Sequence, residues 1–218
     1  MRKDNLYELI KKADGGDAEA QYNAAYHILY DMELGENDAE IIGRAISFLR
    51  NSAMSGYCQG LAALELGDLY YHGKRIAKDY KQAVMWYRTA AQKRHPIAYY
   101  RLGNCYCYGY GVIEDYAKAF VYFNKGAEGY INNFIRLADM YWNGQYVPQD
   151  KNFALTLYRY VYDEEIKFYE KHEMFSNAHG EVLKRLKSKD KEPHDGQELS
   201  KNEIFSRLSA DVSTDEIL

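Results

Sequence analysis

An all-α, right-handed solenoid of antiparallel helix pairs is the fold this sequence predicts, and three observations carry it. Landmarks recur with one period: Gly67, Gly103 and Ala138 lie 36 and 35 residues apart, and the same steps take Gly73 to Gly109 to Gly144, Asp79 to Asp115 to Asp150, and Ala83 to Ala119 to Ala154. A fixed period of this length marks a repeat architecture, in which each unit buries its apolar face only against its neighbours. Within each period the apolar residues follow helical spacing. Ala63, Leu66, Gly67 and Tyr70 fall at i, i+3, i+4 and i+7, and Tyr99, Leu102, Gly103 and Tyr106 repeat them. The composition, 47% hydrophobic and 28% charged over 218 residues, is that of a packed chain rather than a disordered one.

The elements follow in order. Ala13 precedes Ala20 by seven residues as Ala91 precedes Ala98, so Leu6 to Ala13 reads as the second helix of a truncated repeat. Such a half-unit can shield an open core end. In the first full repeat Ala25 aligns with Gly67 and Ala45 with Ala83, steps of 42 and 38, which places about four extra residues in the loop around Glu33 to Ala39. Each later repeat opens with a helix whose crossing point needs a small residue, Gly67, Gly103 or Ala138. A turn follows at Gly73 and at Gly109-Tyr110-Gly111, where a helix end favours positive φ. The second helix starts at Asp79, Asp115 or Asp150, each able to accept backbone N–H bonds there. Its buried stripe is Ala83, Trp86, Tyr87 and Ala90, then Ala119, Tyr122, Phe123 and Gly126.

The fourth repeat closes differently. Val161-Tyr162 replaces the small pair, and Ile166, Phe168 and Tyr169 extend the helix as a cap. Residues 1–175 thus form the solenoid, a half-repeat plus about four repeats. Residues 176–218 hold a capping helix (Ala178, Val182, Leu183, Leu186), a charged linker from Lys184 to Gly196, and a short amphipathic helix. In that helix Ser200 and Glu203 make a capping-box pattern ahead of Ile204, Phe205 and Leu208. It either docks on the solenoid or serves as a tethered ligand, and an intramolecular cap is the simpler expectation.

Charge and motifs narrow the function classes. A net charge of −4 and a pI near 5.9 disfavour nucleic acid as a partner, because neutralising phosphates needs a clustered basic surface. No apolar run approaches the roughly 20 residues a membrane helix requires, and the N-terminus lacks the apolar core of a secretory signal. Three cysteines, Cys58, Cys105 and Cys107, fit reduced thiols in a cytoplasm. His172-Glu173 and His179 lack the spacing of a helical zinc pair, Cys105-Tyr106-Cys107 is no metal half-site, and Gly109-Tyr110-Gly111 lacks the strand and third glycine of a phosphate loop. His72 and Asp68 lie one turn apart with no nucleophile beside them. Neither a metal, nor a cofactor, nor catalysis is expected. Tyrosine, 23 residues of 218, suits thin two-layer folds, where a ring is buried while its hydroxyl finds a polar partner.

These residues resemble the Sel-one-like repeat family, relatives of the tetratricopeptide repeats, whose units run Ala-x-Leu-Gly-x-x-Tyr, Gly-x-Gly-Val, Asp-x-x-Lys-Ala and Trp-Tyr-x-x-Ala-Ala. The resemblance covers Leu6 to Tyr169 and is strongest from Ala98 to Gly129, with Gly109-Tyr110-Gly111-Val112 and Asp115-Tyr116-Ala117-Lys118-Ala119. It departs at the loosened first repeat, at Ala138, and at the missing closing glycine of the second and fourth repeats. Secreted members often bridge their helix pairs with disulfides, and this chain lacks the paired cysteines for that.

The resemblance implies a scaffold that binds another protein or peptide. If first helices line the concave side as in relatives, the face opposite the buried stripe forms a ladder: Asn23, Tyr26 and Tyr30; Glu65, Asp68 and His72; Arg101, Asn104 and Tyr108; Arg136, Asp139 and Asn143. Tyrosine with arginine is the composition favoured at interfaces. The expectation is a non-catalytic adaptor in a bacterial-type cytoplasm, with Arg101→Ala plus Arg136→Ala abolishing binding at nearly unchanged stability. A toxin-neutralising immunity role is the second class, and an enzyme or its regulator the third.

Overall fold

The computed structural model describes residues 3–31, 38–56, 60–172 and 199–212, the side chains of 3–5 and 165–172 excepted. Most of the Glu33 to Ala39 loop, Cys58, the helix expected around 178–186 and the basic linker lie outside the described residues. Every regular element among the described residues is helical. The helices gather into two compact units, and the division falls inside the third repeat. The first unit runs to Cys105 and takes in Gly109–Ile113, while the second comprises Tyr106–Tyr108 and the chain from Glu114 onward.

The first unit contains α1 (Lys3–Asp14), α2 (Ala18–Tyr26) prolonged by a π turn at His27–Asp31, α3 (Ala39–Ser55), α4 (Leu61–His72), α5 (Tyr80–Gln92) and most of α6 (Pro96–Tyr108). Neighbours in sequence are neighbours in space, α1 on α2, α2 on α3, α3 on α4 and α4 on α5. The half-repeat at the N-terminus is tied down: Ala13 is 1% exposed, and its carbonyl accepts a bond from the Gln21 side chain at 3.1 Å. A buried amide must find such a partner. Ala63, Leu66, Ala83, Tyr87 and Ala90 have no exposed surface, which is the stripe the spacing predicts, while Tyr70 and Trp86 at its margins are half-buried.

The second unit contains α7 (Tyr116–Gly126), α8 (Asn132–Asn143), α9 (Lys151–His172) and α10 (Lys201–Ala210). α8 packs between α7 and α9, and α9, at 22 residues, runs on past the usual repeat length as the sequence implies. The segment Ser200 to Asp211 is docked within this unit. Ile204 and Leu208 are 1% and 0% exposed, the Asn124 amide donates to the Leu208 carbonyl at 2.8 Å, and Phe205 meets Phe134 edge to face. The capping box of Ser200 and Glu203 is formed.

One local construction recurs in three repeats. Gly73, Gly109 and Gly144 end their helices at φ of 67, 67 and 66°, the left-handed region open to glycine, and each N–H donates back into its own helix, to Leu69, Cys105 and Met140. Six residues on, the N–H of Asp79, Asp115 and Asp150 donates to the carbonyl of Tyr70, Tyr106 and Tyr141, each at 2.9 Å. The aspartate carboxylates then take the first free N–H groups of the next helix: Lys81 and Gln82, Lys118, and Phe153. The turn is thus closed from both sides by main-chain bonds, which fixes where the first helix of each repeat can present its side chains.

Candidate functional site

In the first unit, the outward face of α2 and α4 is a hydrogen-bonded relay rather than a row of independent solvated groups. The Tyr30 hydroxyl donates to Glu65 at 3.0 Å. Asp68 accepts the Tyr87 hydroxyl at 2.6 Å and the Arg101 guanidinium through Nη2 at 3.0 Å, and Arg101 Nε stands 2.9 Å from its other oxygen, an ion pair. Tyr30 with Glu65, and Asp68 with Arg101, are 35 and 33 residues apart. They are clasps between consecutive repeats. Asp68 and Arg101 side chains are only 23% and 30% exposed.

Burial sets the ionisation of this relay. Desolvation raises the Glu65 carboxyl, with neighbouring Asp68 adding to it while the Tyr30 hydroxyl and Arg101 pull it back. Burial and then Asp68 push the Tyr87 hydroxyl up, so it remains a donor. Burial raises the Cys105 thiol to about 12 despite Arg101. That cysteine is protonated at neutral pH and fully buried, a packing residue rather than a nucleophile.

Around the relay, Tyr26 is 42% exposed, with its ring 4.8 Å from that of Tyr30, and Lys74 lies over the Tyr30 ring at 5.4 Å. His72 is exposed and meets Tyr71 edge to face. Asn23 and Asn104 are half-buried. A cluster that spacing does not reveal sits at the α4 end: Tyr71 contacts both Tyr80 and Tyr110, and the last two rings stack at 4.9 Å. Gly111 makes this possible. A Cβ there would stand 2.3 Å from the Tyr80 carbonyl oxygen.

In the second unit, Arg136 is the centre. Its guanidinium donates from Nη2 to the Tyr108 hydroxyl at 2.6 Å, lies over the Tyr108 and Phe123 rings at 5.3 and 5.8 Å, and stands 3.5 Å from Asp139 through Nη1. Asp139 accepts the Tyr158 hydroxyl, the counterpart of Tyr87 on Asp68. Tyr108 is 52% exposed, and Asn143 is exposed. Cys107 is buried; desolvation raises its thiol, and Arg136 draws it back. Arg136, Tyr108, Phe123, Asp139, Asn143 and Cys107 line an open cavity of about 310 Å³.

Of the twelve ladder residues the structure links Tyr26 with Tyr30, Tyr30 with Glu65 and Asp68 with Arg101 in the first unit, and Tyr108 and Asp139 with Arg136 in the second, which changes the meaning of several. Arg101 is one half of a part-buried ion pair, so removing it leaves Asp68 with the Tyr87 hydroxyl but no counter-charge, at a cost in stability. With that pair in place, the double arginine substitution is expected to lower stability rather than leave it nearly unchanged. Among the described residues no group of three or more histidine, cysteine, aspartate or glutamate side chains is placed to hold a metal ion, and no helix is long and apolar enough to cross a membrane.

Comparison with known proteins agrees with this architecture. The Sel1 repeat model matches residues 18–57, 60–95, 96–130 and 135–160. Among solved structures, the chain is similar to c5321, a protective antigen present in uropathogenic Escherichia coli strains displaying an SLR fold, with 32% identity and a TM-score of 0.65 over 73% of this chain. It spans 33% of that protein. A Sel1 repeat protein from Oxalobacter formigenes is similar over 98% of this chain and 75% of its own, with 23% identity and a TM-score of 0.68. Among curated proteins no sequence matches.

Proposed function

The chain belongs to the Sel1 repeat family, whose members generally serve as protein-interaction scaffolds, and on that premise we propose that it is a non-catalytic adaptor using the outward faces of its first helices. The carrying observation is that an exposed tyrosine in each unit stands on a backing that cannot easily move. Tyr26 is buttressed by Tyr30, itself bonded to Glu65, and Tyr108 by Arg136. A pre-ordered aromatic loses little entropy on binding, which is why tyrosine is enriched among residues that dominate interface energetics. The polar relay behind these rings supplies rigidity, and the exposed rings with His72 and Asn143 supply contact.

The test separates contact from scaffold. Tyr26→Ser and Tyr108→Ser, made singly and together, are compared with wild type for the proteins each immobilised chain retains from its native lysate, with circular dichroism as the check of folding. A partner retained by wild type and lost by the double variant at unchanged helicity is the expected outcome. A partner held equally by both refutes the assignment of these faces.

A further inference from the structure

Two arginines occupy the same step of successive repeats and meet different fates. Arg101, in the first unit, donates from Nη2 to one oxygen of Asp68 at 3.0 Å and brings Nε within 2.9 Å of the other, so that it is paired with a carboxylate that precedes it by one repeat. The residue in the Asp68 step one repeat before Arg136 is Asn104, an amide in place of a carboxylate. Among the described residues Arg136 has no carboxylate within hydrogen-bonding distance. Nη2 goes to a phenol oxygen, Nη1 reaches Asp139 only at 3.5 Å, and the enclosed Nε–H, like that of Arg101, makes no hydrogen bond among the described residues.

The surroundings preserve that demand rather than quench it. Arg136's side chain is 18% exposed, so bulk water does little to satisfy it, and two aromatic rings hold the guanidinium in place. Beside it opens the cavity of about 310 Å³, walled by Tyr108, Tyr116 and Phe123, with the amides of Asn143 and Gln145 at its rim. That volume is at the lower end of small-molecule sites. We propose that this cavity in the second unit binds a carboxylate, carried by a peptide of the partner, with the Arg136 guanidinium as its anchor. A planar monoanion matches the fork of an arginine, and with Asp139 also on the cavity wall it is repelled less than a phosphate dianion would be. The proposal rests on the protein-binding reading but names a single contact within it.

The contact can be read directly. In the full chain labelled with nitrogen-15, the Arg136 Nε–H resonance is identified by its absence in Arg136→Lys and followed during titration with three probes. These are N-acetylphenylalanine, whose carboxylate stands for a chain terminus, N-acetylglutamate amide, whose carboxylate stands for an acidic side chain, and N-acetylphenylalanine amide, which has none. A saturable downfield shift with one of the first two, at least tenfold weaker with the neutral amide, is expected, and the probe that gives it identifies the source. The Arg101 Nε–H should not move. Gln145→Glu places a carboxylate in the cavity wall and should abolish the response without deleting the arginine. No shift with either acid, or an equal shift with the neutral amide, overturns the proposal. A shift here combined with undiminished partner capture by the tyrosine variants would instead refute the aromatic faces and leave the carboxylate site standing.

Discussion

Gly67→Ala tests the helix crossing on which the repeat depends. A methyl at residue 67 would lie 2.4 Å from both Cδ1 and Cε1 of Tyr87, more than an ångström inside the roughly 3.5–4.0 Å of ordinary carbon contact. Tyr87 cannot simply swing away. It has no exposed surface, and its hydroxyl is held by Asp68 at 2.6 Å, itself gripped by Arg101. Overpacking of this kind costs about 1–3 kcal/mol, and losing a hydrogen bond to a charged acceptor about 1.5–3 kcal/mol. Against these stands a gain of about 1 kcal/mol from replacing glycine inside a helix. The balance is a destabilisation of about 3 kcal/mol, a fall in Tm of roughly 6–12 °C for a chain of this size, read by thermal circular dichroism. Gly67→Ala with Tyr87→Leu should recover much of the loss, because the ring is the obstacle. The chain carries Ala138 at the equivalent step beside the equivalent Tyr158, so a methyl is compatible with a helix pair formed around it; the clash at Gly67 belongs to the present position of Tyr87. A single variant that melts at or above wild type would refute the reasoning.

Two further outcomes follow from the ionisable groups. Glu65 has its pKa raised in the fold, chiefly by burial and against the pull of the Tyr30 hydroxyl and Arg101, so its favourable contribution is complete below the unfolded value of about 4.3 and is lost as pH rises through the folded one. Once ionised, its charge is a net burden, and Glu65→Gln, which keeps an acceptor for Tyr30, should melt at or above wild type at pH values where the carboxylate is charged; a clearly lower Tm there would count against this. Asp150 runs the other way. Burial pushes its carboxyl up, but the Phe153 N–H and the Arg207 guanidinium outweigh that and hold it below the usual range, so its contribution is complete above the unfolded value of about 3.9 and disappears as pH falls through the folded one. Hydrogen exchange of α10 should therefore accelerate below about pH 4 beyond the intrinsic acid dependence, and Arg207→Ala, already lacking the pair, should show a weaker pH response.

The period, the small residues at the crossings, the glycine helix ends and the aspartate caps were all legible in the sequence, because each follows from a local rule acting on residues within one helix or turn. The clasps were not. Helical periodicity, which knows only one helix at a time, placed Glu65 and Asp68 on an outward face read as a partner-binding ladder, whereas both are engaged by residues one repeat away. A signal was nevertheless present: opposite charges at Asp68 and Arg101 are separated by nearly one repeat, the spacing at which consecutive first helices meet. The tyrosine cluster of Tyr71, Tyr80 and Tyr110 escaped for a related reason, since it joins a helix, a helix start and a turn. The docking of α10 depends on the surface it covers, and the clue there lies in the fourth repeat itself.

That clue is the third residue after the capping aspartate. In the third repeat it is Lys118, which bonds the free oxygen of Asp115 at 2.8 Å and lies over the Tyr106 ring at 5.7 Å. In the fourth it is Phe153. The substitution leaves the second oxygen of Asp150 without a local lysine and puts an aromatic ring beside it, and Arg207 of α10 uses both, bonding Asp150 and lying 3.9 Å over Phe153. Phe134, where the earlier repeats have Ala63 and Tyr99, extends the apolar surface to Phe205. One helix thus takes from the last repeat what its sequence no longer supplies locally, and shields an end of the core that a further repeat would otherwise cover. Phe153→Lys would restore the pattern of the third repeat, pairing Asp150 from its own helix and setting a cation against Arg207. The expected result is loss of protection across residues 201–210 in hydrogen exchange while α7 and α8 remain protected; unchanged protection of that segment would mean that the remaining contacts, burial of Ile204 and Leu208, the Asn124 bond and the Phe205–Phe134 pair, hold α10 in place without the Arg207 pair.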